Sequence, residues 1–237
     1  MAIDVTVDIP KLGSPDVSLT AKELGQRSRP SGHGSRASDV WEVVRLDGKP
    51  SLDPQEVAQI GKCHFVKTLS VNMHFDLEYF VAKELQDNLD NAVKAQAPKG
   101  EQNFHRWLLQ RVKGHAAQHY DQYVKVITAW QAEIKQDLEK MLPTEKRPTS
   151  LQELEIKEQI GTLVSDWIAE LDFRLKQDAF QWEKTDYPQI EKQMKSTPGA
   201  AVFMPTGLSL PPAPKSPASR RKVTFPPCRP DSAPRSK

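Results

Sequence analysis

Leu69-Ser70-Val71-Asn72-Met73-His74-Phe75-Asp76-Leu77 is the stretch on which the fold depends. Apolar residues at 69, 71, 73, 75 and 77 alternate strictly with Ser, Asn, His and Asp, the period-2 pattern of a half-buried strand. Its flanks point the other way. Upstream, Asp53-Pro54-Gln55-Glu56 has the marks of a helix start: a capping carboxylate, Pro at the first helical position, and Glu three residues past the cap. Residues 54–66 and, downstream, 78–97 both read as helix. A helix buried on several sides also tolerates apolar residues at these positions. The flanks therefore favour one long, interrupted helix, with the strand as the competing reading.

Two further helices follow. From Gln102 to Leu142, Phe104, Leu108, Val112, Ala116, Tyr120, Tyr123, Ile127, Trp130, Ile134, Leu138 and Met141 recur at steps of three or four, one apolar stripe along the chain. After the breakers Pro143 to Pro148, Ser150-Leu151-Gln152-Glu153 resembles a capping box. Ile160, Leu163, Trp167, Leu171, Leu175, Ala179 and Trp182 then draw another stripe that ends before Pro188. With turns at Pro98-Lys99-Gly100 and at 143–149, the expected fold is mainly α, a long antiparallel bundle of about three helices over residues 54–196. Residues 1–53 form a separate N-terminal segment. There Ile3, Val5, Val7 and Ile9 alternate with polar or small residues as a short strand, Val40 to Leu46 is a second strand candidate closed by Asp47-Gly48-Lys49-Pro50, and 26–38 reads as a flexible linker.

Of the 237 residues, 38% are hydrophobic and 27% charged, with a net charge of +2. That total conceals a segregation. Residues 1–53 hold 7 Lys/Arg and 8 Asp/Glu, 54–196 hold 19 and 22, and 197–237 hold 7 against one Asp, giving −1, −3 and +6. Ten of the 19 prolines also fall in 197–237, so this segment reads as a disordered, basic, Pro-rich tail unable to bury enough apolar surface to order itself. The apolar runs are too short for a membrane span, and no basic and apolar leader opens the chain. No membrane association is expected. Cys63 and Cys228 lie in segments of unlike character, which argues against a disulfide framework and for a reducing compartment, cytoplasmic or also nuclear.

Candidate chemistry is sparse. His115 and His119 stand one helical turn apart, a spacing that can bind zinc, and Cys63 or His64 is a potential completing ligand. The metalloprotease helix motif, however, has a catalytic Glu where this chain has Ala116, and two histidines on a solvated helix face account for the same letters. No metal or other cofactor is therefore expected. The chain has no glycine-flanked serine and no phosphate-cradling glycine loop, and Glu133, Asp137, Glu153 and Glu170 read as a solvated face with Lys or Arg neighbours. Trp107, Trp130, Trp167 and Trp182 read as core. An enzyme is not expected.

The tail carries the sharpest motif. Arg220-Arg221-Lys222-Val223-Thr224-Phe225 resembles the docking motif of regulators of the type-1 protein phosphatase. That resemblance implies Val223 and Phe225 as anchors in two apolar pockets, with Arg220, Arg221 and Lys222 facing acidic surface and the segment adding as a strand to a sheet edge. Thr224, three residues after Arg221, is a phosphorylation candidate whose added charge would oppose docking. The expected function is a non-enzymatic interaction or scaffold protein whose tail docks a protein partner and whose bundle self-associates. The alternative is a nucleic-acid-associated coat or packaging protein that uses the basic tail.

Overall fold

In the computed structural model, which describes residues 1–27, 41–196 and 223–229, the deciding stretch is strand. In chain order the elements are β1 (Ala2–Asp8), α1 (Ala21–Arg27), β2 (Glu42–Ile60), β3 (Cys63–Val81), α2 (Lys83–Lys94), α3 (Lys99–Met141) and α4 (Glu153–Ser196). The expected mainly-α three-helix bundle is overturned. Among the described residues a mixed sheet of order β1-β3-β2 forms, with β1 parallel and β2 antiparallel to β3.

The alternation at 69–77 is the reason. Leu69, Val71, Met73 and Phe75 are each 1% exposed, while His74 and Asp76 face solvent, as a half-buried strand requires. The parallel strand β1 repeats the pattern, with Ile3 and Val5 buried beside exposed Asp4 and Thr6. On the polar face Asp8 accepts from His74 Nδ1 at 2.8 Å, Lys49 pairs with Asp76, and Lys67 pairs with Glu56 at 2.7 Å.

The helix-start signal at Asp53-Pro54 belongs instead to an edge strand. Register between β2 and β3 shifts between Asp53 and Glu56, so Pro54 sits where the ladder is irregular and, among the described residues, β2 is paired on one side only. An edge bulge is one of the few places a sheet tolerates proline. The expected second strand likewise does not stop at Asp47-Gly48-Lys49-Pro50, because β2 runs on to Ile60. Gly48 stands opposite Phe75, and a Cβ there would lie 2.8 Å from the buried ring. The close approach of ring to backbone, rather than a turn, needs this glycine. The turn comes at Gly61, whose φ of +60° is in the left-handed region, just before β3.

The two long helices follow their stripes. Phe104, Leu108, Val112, Ala116, Ile127, Trp130, Ile134 and Leu138 are buried along α3, and Leu163, Trp167, Leu171 and Leu175 along α4. The indole Nε1–H of Trp130 donates to the Trp167 carbonyl at 3.3 Å, tying the helices together inside the core. Gln152 caps α4, its amide donating to Glu155 at 2.7 Å, so this helix begins slightly later than Ser150 suggests. It also continues through Pro188. The side chain of Trp182 and the linker residues 28–38 lie outside the described residues.

Among the described residues two apolar core groups form. The larger joins β1 and β3 to the C-terminal half of α3 and to α4, around Phe75, Ile127, Leu138, Ile160 and Trp167. The smaller joins α1, the start of α2 and the N-terminal half of α3 to the far end of the hairpin, around Leu24, Val81, Phe104 and Leu108. Helix α3 therefore spans both, and its middle turns lie at the seam.

Candidate functional site

The docking motif lies partly within the described residues and is not loose there. Val223 is 9% exposed and belongs to the larger core, and Phe225 is half-buried against it. Residues 223–229 thus form a strap seated on the body, which corrects the expectation of disorder for this part of the tail. Arg220, Arg221 and Lys222 lie outside the described residues.

Backbone pairing explains the seat. The amide of His64 donates to Thr149 O at 2.9 Å and the amide of Thr149 returns to His64 O at 2.8 Å, so the loop between α3 and α4 extends the start of β3. Thr149 in turn pairs antiparallel with Pro227. Ser150 N–H donates to Pro226 O at 3.1 Å, Cys228 N–H to Pro148 O at 2.9 Å, and the Thr149 hydroxyl to Pro226 O at 2.8 Å. Pro226 and Pro227 have no N–H to offer, and the Pro226 carbonyl and the flanking amide of Cys228 do the bonding. Thr149 is fully buried beneath this contact, and its hydroxyl and backbone are both bonded.

A disulfide then closes the strap. Cys63 and Cys228 are joined, their Cα atoms 5.7 Å apart and their positions 165 residues apart in sequence. Contrary to the expectation of unpaired cysteines, the tail returns to the first residue of β3, so cysteines of unlike surroundings become neighbours. Thr224, between the two anchors, is exposed and open to modification while the strap is seated.

The histidine pair has a different setting from the solvated face expected of it. His115 and His119 are 4% and 6% exposed, with ring centroids 4.8 Å apart, at the seam between the two apolar groups. The third member is Glu42, the first residue of β2, which pairs through Oε1 with His115 Nδ1. One ligand atom from each of Glu42, His115 and His119 lies within 4.8 Å of the others. Neither Cys63 nor His64 belongs to this cluster: the disulfide takes the Cys63 sulfur, and the His64 ring is not among the donors that converge there. Sequence reasoning missed Glu42, which is 73 residues from His115.

Burial governs the titration of these groups. Removal from water raises the Glu42 carboxyl above its usual range, opposed by its hydrogen bond to His115. Burial lowers His119 to about 3, with the charge of His115 adding to the effect. Tyr79 is raised by burial and by the nearby Glu42 charge.

The remaining candidates keep structural roles. Glu133 and Glu170 clasp Arg174 at 2.6 Å each, and Glu153 pairs with Lys157 along α4. Trp130 and Trp167 are core residues, and Trp107 packs half-buried on the smaller group. Among the described residues no helix is long and apolar enough to cross a membrane. Comparison with protein-family models, curated proteins and solved structures finds no match to this chain.

Proposed function

We propose that this chain is a non-enzymatic interaction protein that recruits a protein partner through Arg220–Phe225, a type-1 protein phosphatase being the partner whose chemistry the motif fits. The observation that carries this is the mode in which the segment is held on its own body. Val223 and Phe225 bury as apolar anchors while the neighbouring backbone bonds to an extended chain. Strand addition with alternate anchors is also how such motifs engage a partner.

The same anchors cannot fill two seats at once. Docking therefore requires the strap to leave the body, and the Cys63–Cys228 disulfide opposes that departure. In a cytoplasmic or nuclear compartment, where thiols are kept reduced, the bond opens and the segment becomes available. Under oxidising conditions it stays stored. Three adjacent basic residues ahead of Val223 supply attraction to an acidic partner surface and raise the rate of encounter.

Isothermal titration of the full reduced chain against the phosphatase catalytic subunit tests this reading. Saturable binding that is lost in a Val223→Ala/Phe225→Ala variant and survives moderate salt supports it. Absence of binding overturns it. Association with nucleic acid that falls steeply with salt and ignores both substitutions would favour a phosphate-contacting role for the tail instead.

A further inference from the structure

We propose that Glu42, His115 and His119 form a binding site for a divalent transition-metal cation of the zinc class. Three features of the cluster carry the inference. The donor types are right: two imidazoles and one carboxylate are a recurrent protein ligand set for zinc, leaving a fourth position for water or another small ligand. Their placement is right as well. The ligand atoms already lie within 4.8 Å of one another. Bonds of about 2.0–2.2 Å to a tetrahedral ion put donors about 3.4 Å apart, so shifts on the order of 1 Å suffice to close the site.

The third feature is the surroundings. Both imidazoles are buried, and the carboxylate lies against them between two apolar groups, so an ion held there is shielded from water and its attraction to the carboxylate is strengthened. A cation there would neutralise the carboxylate and give both rings an electron-pair acceptor. Two rigid elements present the donors. His115 and His119 come from successive turns of α3, and Glu42 from the start of β2, where it stands opposite Val81 of β3 and the Ala82 amide donates to the neighbouring Trp41 O at 2.8 Å. The set contains no thiolate and one carboxylate only, which disfavours both soft-metal and calcium or magnesium chemistry.

The rival reading is a structural Glu42–His115 pair with a packed neighbour, and it predicts no affinity for metal. The test uses the full chain with its disulfide intact, so that no thiolate competes. Cobalt(II) and zinc(II) are the probes. Cobalt should bind with one equivalent and give visible bands of low coordination number, zinc should displace it, and zinc should raise the melting temperature reversibly to a chelator. Glu42→Gln and His119→Ala should each weaken binding by about 100-fold or more, since even outer-layer partners of metal ligands cost 10–100-fold. His74→Ala, at the exposed His74–Asp8 pair, should leave binding intact. No cobalt spectrum and no thermal shift in the unmodified chain would overturn the proposal. So would a signal that survives His119→Ala and disappears in His74→Ala. Because the unmodified chain supplies the decisive readout, a variant that fails to fold does not rescue the idea.

Discussion

Reducing the Cys63–Cys228 disulfide should release the strap from the body. Burial of Val223 and half-burial of Phe225 contribute about 3–4 kcal/mol. The three hydrogen bonds from Ser150 N–H, Cys228 N–H and the Thr149 hydroxyl add about 1 kcal/mol each. Against this total of about 6–7 kcal/mol, holding residues 223–229 in one conformation costs about 1 kcal/mol or more per residue, or about 7 kcal/mol, with the two prolines at the low end. The two sides nearly cancel. Without its covalent tie the strap is therefore marginal. The tie itself closes a loop of 165 residues, which restricts the unfolded chain by about 5 kcal/mol on the chain-entropy account. Hydrogen exchange read by mass spectrometry compares the oxidised and reduced full chain. The amides of Ser150 and Cys228 should be protected in the first and exchange as open chain in the second. Unfolding in denaturant should show the reduced form less stable by up to about 5 kcal/mol. Unchanged protection of those two amides after complete reduction would refute the reasoning, because the strap would then be held by its contacts alone.

Other outcomes follow from the sheet and the seam. Phe75→Ala should cost about 3–5 kcal/mol in urea unfolding, and His74→Ala, on the solvent face one position away, within about 1 kcal/mol; equal costs would contradict the alternation. Phosphorylating Thr224 puts about two negative charges between the anchors and should weaken phosphatase binding at least about tenfold, measured by titration of modified against unmodified chain. In metal-free protein His119 stays neutral to about pH 3, whereas the unfolded chain takes up its proton near 6.5. Stability should therefore fall as pH drops from 6.5 toward 3, by up to about 1.4 kcal/mol per unit from this group. Glu42, raised by burial, contributes the opposite slope, so the difference between the native chain and His119→Gln isolates the histidine, and identical pH profiles would rule its contribution out.

The parts legible in sequence were those whose pattern is local. Ile3, Val5 and Val7 announce β1, and the stripes from Phe104 and from Ile160 announce α3 and α4, because each periodicity is set by which face the element buries. At 69–77 the same rule pointed to a strand. The cap-like Asp53-Pro54-Gln55-Glu56 outweighed it, since a capping box and a proline at an edge bulge share the same letters. What the sequence hid was long-range. Val223 and Phe225 were visible as apolar anchors, yet nothing local shows that they seat on the loop at Thr149. Cys63 and Cys228 looked unrelated because composition describes segments and not their neighbours. His115 and His119 announced their shared face through spacing alone, but whether that face meets water or Glu42 is settled by how the hairpin crosses α3.

The affinity of the phosphatase catalytic subunit for the oxidised and the reduced full chain, measured side by side, tests the central claim most directly. If the strap stores the docking anchors, the reduced chain binds and the oxidised chain binds at least about tenfold more weakly, with both dependent on Val223 and Phe225. Equal affinity in the two states would contradict it, since anchors held in the core by a closed disulfide cannot also fill a partner's pockets.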